Sequence, residues 1–222
     1  MTETVPRLGT LSCAELHIRE EAEHYMGMPA LRKRRWTAAD VRAFMDESRA
    51  WPRYELLDGE LLVTNAPTMA HQIAVAELLR QLGQYVDAER VGIAMTSPSD
   101  IELEPEQITQ PDVFVVPVDL LPADAPIQWR HISRLLLAVE VLSPSTMRED
   151  RVRKRDFYLR NRVDEYWIVD LDARVFERWT PASERPDIRR DTLDWTPAGA
   201  QSAFRLDVAM FFETNRGLKR FV

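Results

Sequence analysis

The chain has 222 residues, 45% hydrophobic and 29% charged, with 36 acidic against 29 basic side chains and a net charge of -7. Those proportions exclude a disordered or collagen-like chain and fit a globular domain with its own core. The single cysteine, Cys13, excludes an intramolecular disulfide framework and a cysteine-rich zinc site, and no apolar run approaches the roughly 20 residues of a membrane-crossing helix.

The opening segment, MTETVPRLGTLSCAELHIREEAEHY, lacks the apolar stretch of a signal peptide, so a cytoplasmic location is the expectation. Residues 12–26 read as a polar helix, with Ser12 as cap and Glu15 as its capping-box partner. Gly27 and Pro29 break it, and a basic run follows at Arg32, Lys33, Arg34 and Arg35. Residues 1–35 are thus expected to be a helical extension, and 36–222 the main domain. Thr37 and Asp40 mark a second helix start, with Val41, Phe44 and Met45 as its apolar stripe.

Residues 53–65, RYELLDGELLVTN, predict a β-hairpin around Asp58-Gly59. Residues 69–86 carry Ile73, Ala76, Leu79, Leu82 and Val86 at helical spacing and predict a long helix. Strands are expected near 92–96, at 100–104 (DIELE) and at 111–118 (PDVFVVPV). LLLAVEVLS at 135–143 reads as a strand buried on both faces. An Arg-rich helix at 147–162 comes next, then a buried strand at 165–170 that pairs with 174–179. The tail holds an expected strand near 188–194 and an apolar segment at 203–213. The order describes one α/β domain.

Glu140 interrupts an apolar strand. Burying a carboxylate costs several kcal/mol unless it is paired or binds a cation. Asp112 opens a second core-like run. Two acids on neighbouring buried strands either raise one pKa or recruit a hard cation, which prefers oxygen ligands. In the helix that follows, Asp150, Lys154 and Tyr158 share a face at i, i+4 and i+8. Its first turns should lie near the end of the Glu140 strand, where ligand sites in α/β sheets gather. Two acids, a lysine and a hard metal point to phosphodiester hydrolysis: the metal polarises the phosphate and activates water, and the lysine offsets developing charge.

The strings RYELLDGELLV, AHQ at 70–72, ITQPDVFVV, LAVEVLSPST and DRVRKRDFYLRNRVDEYWIVD, taken together, resemble the PD-(D/E)XK nuclease superfamily. Within it they resemble the restriction-endonuclease family called Uma-two, over about Trp36 to Trp179. The resemblance implies a restriction-endonuclease-like core: a central mixed β-sheet flanked by helices, with an N-terminal hairpin and a helical extension. It implies a nuclease site dependent on Mg²⁺ or Mn²⁺. Asp112 matches the acid of the PD motif, and Glu140 that of the E-x-K element. Position 142 is Leu where the superfamily has its lysine, and Lys154 is the position that matches a lysine supplied by the following helix. Glu55 matches an acid of the hairpin and would be an outer metal ligand; His71 matches a histidine at the start of the long helix.

Each residue also has a plainer reading. Glu140 could be half of a buried ion pair with Lys154 or Arg153, Asp112 an acid bonded to backbone amides, and Lys154 a solvated helix lysine. Glu55 could be a surface acid of the hairpin, His71 a cap or core residue, and Tyr158 packing against the sheet. Arg151 and Arg155 are candidate phosphate contacts, or else members of surface salt bridges. The expectation is therefore a metal-dependent endonuclease acting on DNA, as a homodimer. The alternative is a catalytically silent binding or accessory module with the same fold. The negative charge is local: residues 97–129 hold seven acids and no Lys or Arg, and the rest of the chain is balanced. A nucleic-acid partner thus remains compatible with the acidic total.

Overall fold

The structure, a computed structural model, describes residues 35–47, 52–122, 128–144 and 146–215. The helix expected at 12–26 and the basic side chains at 32–34 lie outside the described residues. Trp36–Val222 forms one compact unit. Among the described residues no helix is long and apolar enough to cross a membrane.

Helix α1, Ala38–Glu47, starts as the sequence predicts. The Thr37 amide and hydroxyl donate to Asp40 Oδ2 at 2.9 and 2.8 Å, and the Asp40 amide donates back to Thr37 Oγ1. With the Ala38 amide donating to Glu106 Oε2, these contacts satisfy part of the set of amides that a helix start leaves orphaned. Ala38 and Val41 pack with Leu56 and Ile108 in a small satellite core. Strands β1, Arg53–Leu57, and β2, Glu60–Thr64, pair antiparallel. Asp58 and Gly59 between them both take positive φ, the geometry a two-residue hairpin turn requires.

Helix α2, Met69–Glu89, is capped by Thr68, whose hydroxyl accepts from the His71 amide. Its buried face is Ala74, Val75, Leu78, Leu82 and Val86, not the expected stripe through Ile73, Ala76 and Leu79. The i, i+4 ladder 74–78–82–86 is what meets the sheet, and the same face carries His71 inward. Strand β3, Gly92–Thr96, follows. The strand expected at 100–104 is absent. Ile101 makes a single bridge to Thr109, and the chain reverses where the Gln107 amide reaches the Glu104 carbonyl and Glu106 takes a positive φ.

Strands β4, Val113–Pro117, and β5, Leu137–Val141, are followed by a helix in three contiguous pieces, Met147–Glu149, Asp150–Lys154 and Arg155–Arg160, together α3. Strands β6, Glu165–Asp170, β7, Val175–Trp179, and β8, Asp187–Arg189, complete a six-stranded sheet in the order β3-β4-β5-β6-β7-β8. Only β5 and β6 run parallel, and α3 is the crossover such a pair needs. The strand expected at 188–194 is split: β8 stays on the sheet, while β9, Thr192–Trp195, pairs with β10, Phe204–Asp207. Helix α4, Val208–Asn215, closes the described chain.

The sheet is buried on both faces, which explains its apolar runs. On one face α2, α4, Trp195 and Phe204 cover Val113, Val115, Val139, Trp167 and Val169. On the other, Phe157 and Tyr158 of α3 cover Phe114, Ala138, Tyr166 and Ile168. The edge pairing β3–β4 is unusually close at Gly92, where an added Cβ would lie 2.2 Å from the Val116 carbonyl oxygen. Gly92→Ala is therefore expected to destabilise the fold by roughly 1–3 kcal/mol through overpacking, read as a lower urea midpoint; an unchanged midpoint would mean that β3 can shift freely.

Candidate active site

The β4–β5 register pairs Val113 with Val139, so one residue earlier Asp112 stands opposite Glu140. Cross-strand neighbours of this kind hold their Cβ atoms about 5 Å apart. Both acids are buried and line a cavity of about 250 Å³. Its other walls are the chain after β2 (Thr64 to Thr68), the chain after β5 (Leu142 to Pro144, with Thr146), and the side chains of Arg53, Glu55, His71, Gln110, Asp150 and Lys154.

Asp112 is held from three sides. Arg53 donates to Oδ1 at 3.1 Å, His71 Nε2 lies 3.0 Å from Oδ2, and the Val141 amide donates to Oδ2 at 2.9 Å. Burial alone would raise this carboxyl, but His71, Arg53 and the amide outweigh it and hold it at about 2. An ionised carboxylate only accepts, so His71 Nε2 carries the proton of that contact. Arg53 and Glu55, two residues apart on β1, both line the cavity, and the Gln110 amide donates to Glu55 Oε1 at 2.8 Å.

Lys154 sits among three acids. Its Nζ is 2.8 Å from Glu55 Oε2, 3.1 Å from Glu140 Oε1 and 3.5 Å from Asp150 Oδ1. The last is an ion-pair distance, too long for a hydrogen bond. Tyr158 donates its hydroxyl to the same Glu140 oxygen at 3.1 Å, so both hydrogen bonds to this carboxylate fall on Oε1. An ordinary α-helix would rotate Tyr158 about 80° from Asp150. The Asp150–Lys154 piece is a π-turn, whose wider loop removes most of that rotation and stacks Asp150, Lys154 and Tyr158 toward the cluster.

One ammonium cannot neutralise three carboxylates. Burial pushes Lys154 down, but Glu140, Glu55 and Asp150 outweigh it and raise its pKa well above the usual lysine value, so it stays charged. Burial raises Glu140 well above the carboxylate range; Lys154 opposes this, and the charges of Asp112, Asp150 and Glu55 add to it. Asp150 is raised to about 6, again by burial first, against Lys154 and a Thr146 hydrogen bond and with Asp112 and Glu55. Tyr158 is raised by burial and by Glu140.

The expected site residues therefore divide. Asp112, Glu140, Glu55, His71 and Lys154 line one cavity, and Tyr158 reaches it through Glu140. Arg151 and Arg155 do not line it. Arg151 is committed to Asp170 at 2.8 Å and Glu177 at 2.6 Å, while Arg155 pairs with Asp156 and lies over the Trp179 ring. Three residues emerge that the sequence did not assign to the site: Arg53, Gln110 and Asp150. The i+2 spacing from Glu55 could have pointed to Arg53, and Asp150, already placed on the Lys154 face by its spacing, joins the site itself. Gln110 had no signal beyond preceding Pro111-Asp112.

The oxygen donors suit a hard divalent ion in kind. Among the described residues, however, no three His, Cys, Asp or Glu side chains are grouped to hold a metal as they stand. Arg53, His71 and Lys154 take the acid oxygens instead. Two carboxylates are still sufficient for an ion such as Mg²⁺, which usually retains several waters.

The sheet is six-stranded and mixed, and its buried acids Asp112 and Glu140 stand at the antiparallel β4–β5 pair. A putative nuclease belonging to DUF820, from Anabaena variabilis ATCC 29413, superposes with a TM-score of 0.63 at 18% identity, covering 79% of this chain and 98% of that one. Residues 43–209 match the Uma2 family model, described as "Putative restriction endonuclease", and the chain belongs to that family. No curated protein matches it.

The surplus of buried acid has a pH signature. The folded pKa of Asp150 lies above its unfolded value of 3.8, so the native state holds the extra proton and stability falls as pH rises from 3.8 through about 6. Asp150→Asn removes that loss. It is expected to stabilise the metal-free protein at neutral pH by on the order of 1–3 kcal/mol, with the gain disappearing below the unfolded value of 3.8. Urea denaturation across that range measures it; a gain independent of pH would mean that Asp150 is not the titrating group.

Proposed function

We propose that the protein is a divalent-metal-dependent endonuclease acting on DNA. The observation that carries the reading is the cross-strand pair Asp112–Glu140, buried in one cavity with Lys154. Asp112 and Glu140 would hold Mg²⁺ or Mn²⁺, with Glu55 as an outer ligand. A divalent ion there supplies Lewis-acid polarisation of a phosphodiester oxygen and lowers the pKa of an attacking water.

The chain's own groups do the rest. Arg53, His71 and the Val141 amide keep Asp112 ionised and oriented. Tyr158 fixes one oxygen of Glu140 and leaves the other available. Lys154 carries the positive charge that offsets charge developing on the phosphate oxygens. Four arginines of α3 contribute less than the sequence suggests: Arg151, Arg153, Arg155 and Arg160 are engaged in ion pairs. We propose a homodimer as the form that cuts both strands of a duplex.

The second reading, a silent binding or accessory module, is favoured by Leu142 at the usual lysine position and by the site cations already being paired. A supercoiled-plasmid assay with Mg²⁺, Mn²⁺ and EDTA separates the two. The nuclease reading expects metal-dependent nicking that falls on the order of 10²–10³-fold in Asp112→Asn and Glu140→Gln. Full activity in those variants, or none in the parent with either ion, would sink it.

A further inference from the structure

The three acids around Lys154 make the oxygen shell of a cation, and the cation they hold belongs to the chain. Glu55 comes from the hairpin, Glu140 from β5 and Asp150 from α3, so three separate elements converge on one ammonium at 2.8, 3.1 and 3.5 Å. Hard divalent ions take such all-oxygen surroundings. A separate observation points the same way. Gln110 is 95% buried and lines the same cavity; its Nε2 donates to Asp100 Oδ1 and to the Tyr54 carbonyl, its carbonyl oxygen has no hydrogen-bond partner, and Asp150 Oδ1 has only the 3.5 Å ion pair with Lys154. The Gln110 oxygen is an acceptor that a bound cation would satisfy. The charge count agrees: Arg53 balances Asp112, which leaves three carboxylates facing one lysine.

We propose that Glu55, Glu140 and Asp150 form a divalent-cation site that Lys154 occupies as a built-in competitor. The proposal rests on the reading of Glu140 as a metal ligand, since Glu140 belongs to both clusters. Loading then requires the ammonium to withdraw on its flexible four-carbon stem. The exchange has two consequences. Without metal, the buried acids keep a counter-ion and the fold survives. With metal, the displaced ammonium is released toward the cavity, so the charge that meets a phosphate is deployed only once the ion is in place.

The test needs no DNA. Full-length parent, Lys154→Met and the milder Lys154→Gln are titrated with Mn²⁺ by calorimetry and melted with and without the ion. Each variant is expected to bind Mn²⁺ at least tenfold more tightly than the parent, to melt lower than the parent without it, and to gain more on its addition. Asp150→Asn placed in the Lys154→Met background should remove most of that gain. Should metal-free Lys154→Met be unfolded, Mn²⁺ should fold it. Parental or weaker affinity in Lys154→Gln, together with no gain or no folding in Lys154→Met, overturns the proposal, as does a gain that survives Asp150→Asn. Plasmid cleavage by the parent runs in parallel. A parent that cuts while the variants gain nothing rejects the competitor alone, and variants that gain beside an inert parent reject the nuclease reading alone.

Discussion

One buried ammonium facing three buried carboxylates is the constraint around which the structure is arranged. Removing a charge from water is costly, and a partner repays it only when the geometry is close and the remaining polar atoms are satisfied. Lys154 meets that condition for Glu55 and Glu140, and less well for Asp150. The cluster is therefore held together and under-neutralised at once.

Each part of the fold serves to bring those groups together. The antiparallel β4–β5 register sets Asp112 beside Glu140. The β5–β6 pair is parallel and needs a crossover, and that crossover is α3, which delivers Asp150, Lys154 and Tyr158 through a π-turn. The hairpin supplies Arg53 and Glu55 from outside the sheet, anchored by the Leu56–Ile108 bridge and by the Gln110 amide. Thr68 caps α2 so that His71 meets Asp112. No element contributes more than two of the charged groups, so the site exists only when the whole domain is assembled.

The surface charges follow a different logic. The acidic stretch 97–129 is largely answered from elsewhere: Glu102 by Arg42, Glu104 by Arg160, Asp119 by Arg134. These exposed pairs are each worth little, but they engage basic side chains, Arg160 of α3 among them, that would otherwise be open to a phosphate backbone. On the proposed nuclease reading, affinity for nucleic acid would depend more on the cavity than on a basic face.

By itself the sequence determined most of the elements and the identity of the principal acids. Apolar runs with an embedded Glu140, the Asp-Gly turn and the Thr37–Asp40 cap are local signals, governed by interactions a few residues apart. The DIELE segment misled because alternation alone does not supply a pairing partner, and the 188–194 strand split because its halves pair in different sheets. Tertiary structure alone decided which charges neutralise which. Arg53 on Asp112 spans 59 residues of chain and Lys154 on Glu55 joins helix to hairpin; no spacing rule reaches that far. It also turned Arg151 and Arg155 away from the cavity and admitted Asp150 and Gln110 to it. Burial sets the electrostatics of this site, and burial is a property of the packed domain.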